Sequence, residues 1–244
     1  LMNFFQVTVI IANFKLNWPS LFTSILDFQF TIGEASGVAF SADCFFDNLD
    51  SKEAFYQTMI GVASLPFVLS LVSLIFWLFV RVFKRVEYFK CKVLCTLIVL
   101  IFLVQPQIIR TMFSIFSCES VEGDYWLSSD MSVKCWDSHH RLYSISLALP
   151  SIIIWVVGLP LSSIFFMYKR RNKLEELSTK YIVGFLYQGF RPRVYFWEFV
   201  IYYRKILIIS ISVFANEYVT SQAAGSLYIL SFAFLLQLIV QPFK

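Results

Sequence analysis

The sequence predicts an all-α fold: a polytopic membrane helix bundle of about six transmembrane helices, with both ends of the fragment cytoplasmic. Three observations predict it. First, the 244 residues are 58% hydrophobic and 15% charged, with mean hydropathy +0.70, whereas a soluble domain is roughly 45–50% apolar and about 25% charged. Second, five stretches, about 59–80, 93–117, 143–167, 195–214 and 221–241, reach the roughly 20 apolar residues that a helix needs to cross about 30 Å of hydrocarbon. Third, charge alternates between the apolar runs. Arg81 to Lys92 has five Lys/Arg and one Glu, and Tyr168 to Arg193 has seven Lys/Arg and two Glu. The intervening segments are acidic: Asn17 to Thr58 has six Asp/Glu and one Lys, and Cys118 to Leu142 has five Asp/Glu and two basic residues. Short loops rich in Lys/Arg stay on the cytoplasmic side.

The elements follow in order as one membrane domain over 1–244. Leu1 lies inside an apolar run, so the chain is expected to be part of a longer protein. Residues 1–16 form the visible part of a first span, although they contain Gln6 and Lys15. Lys15 and Trp18 mark the outer interface, and Pro19 turns the chain. Residues 20–30 are apolar but carry Asp27, which suits an interfacial helix better than a span. With the basic loops inside, the spans then run inward at 59–80, outward at 93–117, inward at 143–167, outward at 195–214 and inward at 221–241. Ala215 to Thr220, six residues, join the last two. Pro66, Pro106, Pro150 and Pro160 fall within spans. Each removes a backbone hydrogen bond and favours a kink, more often for packing than as a hinge.

The cysteines sort by side. Cys118 and Cys135 bracket an outer loop, where an oxidising compartment permits a disulfide. Cys44 is also outside, while Cys91 and Cys95 lie at the cytoplasmic end of a helix, where thiols are usually small buried apolar groups. Cys135, Asp137, His139 and His140 have the residue types of a zinc site, but their spacing fits no standard ligand pattern. The two histidines are expected to be solvated, and no metal or cofactor is expected.

Charges inside spans are costly, about 2.5–3.5 kcal/mol each on insertion scales. Arg110 follows the Pro106 kink, with Gln105 and Gln107 flanking it. In the fifth span Glu198 precedes Arg204 and Lys205; positions 198 and 205 share a helix face. These residues read either as an ion or substrate path, or as an amphipathic elbow whose cations snorkel to headgroups beside Tyr195, Trp197, Tyr202 and Tyr203. The elbow is the simpler of the two. There is no Arg at every third position as a voltage sensor requires.

No nucleotide-binding glycine loop, HExxH or supportable Ser-His-Asp arrangement is present, so no enzymatic activity is expected. The net charge of +4 sums a basic and an acidic face and does not point to nucleic acid.

Four stretches carry a resemblance: FFQVTVIIANFKLNWPSL (4–21), CESVEGDYWLSSDMSVKC (118–135), VVGLPL (156–161) and GFLYQGFRPRVYFWEFVIYYRKILI (184–208). Together they resemble the C-terminal multispanning domain of large ciliate and other protist surface proteins that carry Cys-rich, EGF-like ectodomains. They are loosely similar to the fungal transient-receptor-potential-like and flavin-carrier family. The resemblance implies a channel-like or sensory membrane domain. A structural anchor or subunit of a larger assembly, and a transporter of flavin-carrier type, are the alternatives. It further implies the lipid bilayer and other subunits or an ectodomain as partners, and a plasma or ciliary membrane. A pore-loop channel needs a pore helix and filter between its last two helices, and six residues cannot supply them.

Overall fold

The computed structural model describes residues 6–8, 51–84, 87–171, 176–215 and 219–243. Of the expected first span only the helical residues 6–8 are described; Lys15, Trp18, the 20–30 helix and Cys44 lie outside the described residues. Six helices can be named: α1 (Ser51–Phe83), α2 (Phe89–Ser114), α3 (Ser138–Lys169), α4 (Leu177–Tyr187), α5 (Trp197–Phe214) and α6 (Val219–Val240).

Among the described residues α1, α2, α3 and α6 are long and apolar enough to cross a membrane. The protein is therefore a helical membrane protein. Helix α5 is shorter, with 18 residues, and carries Glu198, Arg204 and Lys205. It sits at the centre, packed against α2, α4 and α6. Outward-facing side chains are large and apolar, with Phe67, Tyr228 and Ile239 at 76%, 75% and 78% exposure. Lipid is the solvent that tolerates such a surface.

The chain divides its connections between two faces. The Ser51 end of α1, the far end of α2 and the start of α3 gather at one face, where Ser117 Oγ also reaches Val213 O near the end of α5 at 3.0 Å. At the other face Tyr88 stacks on Tyr181, and Arg191 N donates to Pro242 O at 2.8 Å. The acids of 118–142 lie on the first face and the basic segments on the second.

Two features depart from the expected all-α bundle. The outer loop folds into an antiparallel three-stranded sheet, β1 (Cys118–Val121), β2 (Asp124–Leu127) and β3 (Asp130–Lys134), in the order β1-β2-β3. Glu122 and Gly123, with φ of 53° and 92°, make the two-residue turn between β1 and β2. Two positive φ values in a two-residue loop match the right-handed strand twist. The second departure is α4, which emerges from a segment read only as a basic loop.

Helix α3 is not uniform. Ser144–Ala148 and Ile153–Gly158 are π-helical, and each stretch comes just before a proline, Pro150 or Pro160.

Candidate functional site

The polar groups inside the bundle are organised by its prolines. Pro106 has no N–H, so it leaves the carbonyl four residues earlier, Phe102 O, without its helical partner. Gln6 supplies one: its Nε2 donates to Phe102 O at 3.4 Å and to Leu103 O at 3.3 Å. The other end of the same amide accepts from Lys205 Nζ at 2.6 Å. A buried ammonium is thus tied, through one glutamine, to the carbonyl that Pro106 leaves open in another helix.

Pro160 repeats the pattern. In the π stretch before it, Leu159 N donates to Ile154 O, five residues back. In that register the next carbonyl, Trp155 O, faces the nitrogen of Pro160, which carries no hydrogen. The Tyr202 hydroxyl donates to Trp155 O instead. Tyr202 and Lys205 sit on one face of α5 with Glu198, at helical spacing. All three are buried. The Glu198 carboxylate is close enough to interact electrostatically with Arg204 and Lys205. Lys205, which shares a helix face with Glu198, thus stands within its field. Arg193, at the end of the basic segment before α5, is exposed.

The remaining sites fall as follows. Gln105 is buried, while Gln107 and Arg110 are half-buried, and Arg110 is partnered. Arg204 is half-buried, and its Nε has no hydrogen-bond partner among the described residues. Pro66 is buried within α1. Pro150 is exposed and follows the first π stretch, where Leu149 N donates to Ser144 O. Gln6, noted in the sequence only as a polar residue within the first apolar run, is the group whose role sequence reading did not assign. Its signal was present: a glutamine in an apolar run must find a polar partner.

On the acidic face Cys118 and Cys135 are joined by a disulfide, with Cα atoms 6.4 Å apart. His140 overturns its expected solvation, being fully buried. Trp136 N–H donates to its Nδ1 at 3.2 Å, so Nε2 carries the hydrogen and donates to Ile115 O at 2.9 Å. The imidazole thereby pins the end of α2 to the sheet and to α3. His139, its neighbour, is exposed because successive helical positions point in different directions.

The zinc-like quartet is not assembled as a ligand set. Cys135 is committed to the disulfide, and Asp137 caps α3 by accepting from Ser138 N at 2.7 Å. Leu127, Val133 and Cys135 share one core with Tyr56, Met59, Ile108, Met112 and Ile115. Sheet and bundle are therefore one packed body.

No family model and no solved structure matches the chain, so the fungal transient-receptor-potential-like and flavin-carrier similarity is not shown. The chain is similar to the cysteine repeat modular protein A of Toxoplasma gondii, 28% identical over 139 residues. That match covers 54% of this chain and 4% of the much longer Toxoplasma protein. Apolar spans, a disulfide and this partial likeness fit a membrane protein of the Cys-rich protist surface type.

Proposed function

We propose that this chain is the membrane module that anchors a Cys-rich surface protein, with the disulfide-linked sheet as the rigid handle between ectodomain and bilayer. The sheet's inward residues lie in the same core as α1 and α2, and this observation carries the reading. A load on the ectodomain would be borne by five packed elements rather than by one flexible linker. The protein would act without enzymatic activity, at a plasma or ciliary membrane, with lipid and its own ectodomain as partners.

A channel-like, sensory or transport role is the second reading, favoured by buried Lys205 and Glu198 with half-buried Gln6 beside them. Intramembrane ionisable groups commonly mark ion or substrate paths. Here the polar atoms have a structural task, since they satisfy carbonyls released by proline. Proteoliposomes holding the purified chain distinguish the two. The anchor reading expects potassium, calcium and proton fluxes equal to those of empty vesicles. A flux abolished by Lys205→Met would overturn it in favour of the second.

A further inference from the structure

On the basic face, the last turns of α3 and the helix α4 leave a groove floored by α2. Its mouth is a cavity of about 840 Å³ lined by Ser162, Phe165, Lys169, Arg170 and Glu176, among others. A second cavity of about 320 Å³ continues from it, sharing Ser162, Phe166 and Ile182. Its walls are almost wholly apolar: Leu94, Ile98, Ile101 and Leu159 contribute, with Val183 and Leu186 behind. The two ends thus have opposite chemistry in one continuous cleft.

The cationic mouth is ordered. The Arg170 guanidinium lies over the Phe166 ring, 5.1 Å from its centroid, and its Nη1 reaches Thr179 Oγ1 at 3.5 Å. Lys169 beside it is exposed. Among the described lining residues Glu176 is the one acid, against Lys169 and Arg170, so their sum is positive. Alternating charge places this face at the cytoplasmic leaflet, where anionic lipids concentrate.

We infer that this groove is a binding site for one anionic phospholipid, its net-negative headgroup held by Lys169 and Arg170 and an acyl chain lying along Ile98, Ile101 and Leu159. A soluble anion would use only the mouth, and in a zwitterionic lipid the choline offsets the phosphate charge that the mouth attracts. A phospholipid with an acidic headgroup uses both, and it reaches the site laterally from the bilayer. The inference stands under either functional reading.

The test uses the purified chain in neutral detergent, with lipid retention read by native mass spectrometry and thermal stability read in parallel. Probes are phosphatidylserine, phosphatidylcholine of the same acyl chains, glycerophosphoserine and inorganic phosphate. Phosphatidylserine should be retained about 5- to 30-fold more strongly than phosphatidylcholine, the range for one to two net positive charges near the headgroup. The Lys169→Gln/Arg170→Gln double variant should remove that preference. Ile98→Trp, filling the groove, should weaken retention of both lipids. Lys92→Gln, on a separate cleft beside Trp77, should change neither. Both mouth residues lie at the end of α3 outside the core, so folding of the double variant is checked by its intact disulfide.

Equal retention of the two phospholipids, or an unchanged preference in the double variant, would overturn the site. Stabilisation by glycerophosphoserine or phosphate matching that of the lipid would also overturn it, showing an anion site without an acyl-chain subsite.

Discussion

Replacing Tyr202 by Phe removes one hydroxyl, and its cost should depend on a proline in another helix. With Pro160 present, Trp155 O takes its hydrogen bond from Tyr202. Tyr202→Phe leaves that carbonyl inside the bundle without a donor, a loss of about 1–3 kcal/mol by soluble-protein measures. Bilayer double-mutant cycles lower this to about 0.6 kcal/mol on average, with a ceiling near 1.7. At about 2–4 °C per kcal/mol for a chain of this size, the apparent Tm should fall by roughly 2–6 °C. Pro160→Ala restores an N–H, so Trp155 O regains a backbone donor in either π or α register. In that background Tyr202→Phe should cost close to nothing, so the coupling should equal nearly the whole single-variant loss. Pro160→Ala also removes buried ring atoms, and only the four-corner cycle separates that cost from the coupling. The assay is thermal unfolding in one detergent, followed by loss of monomer on size exclusion. Additive penalties, with no coupling beyond about 0.3–0.5 kcal/mol, would refute the assignment of Trp155 O as a proline-released carbonyl held by Tyr202.

Three further outcomes are expected. Gln6→Leu should destabilise by about 1–3 kcal/mol, because Phe102 O and Lys205 Nζ both lose a partner; a neutral effect in the same thermal assay would remove Gln6 from the arrangement. Cys118→Ser should cost about 3 kcal/mol, from the chain-entropy cost of a loop with sequence separation 17, and shift electrophoretic mobility only without reductant; unchanged stability would leave the outer clasp to His140 and the sheet core. With the free cysteines replaced by Ser, an impermeant maleimide applied from outside should label Glu122→Cys but not Glu176→Cys, and the reverse pattern would invert the threading.

The sequence by itself determined what depends on composition and local period. Long apolar runs fixed the helices at α1, α2, α3 and α6, because unpaired backbone groups cannot be left in hydrocarbon. Charge alternation fixed which connections share a face. Cys118 and Cys135, bracketing one loop rich in acids, pointed to the disulfide that the structure holds. The tertiary structure decided everything that depends on a partner distant in sequence. His140 looks solvent-loving beside His139, and only the return of α2 to the sheet buries it against Ile115 O. Five acids in 118–142 masked three short strands, because polarity there reports exposure and not backbone geometry. Pro106 and Pro160 announced a missing hydrogen bond each. Which side chain would replace it could not be read locally, because Gln6 stands 96 residues from Phe102 and Tyr202 stands 47 from Trp155. A proline's lost donor is a property of the chain; the group that replaces it is a property of the packing.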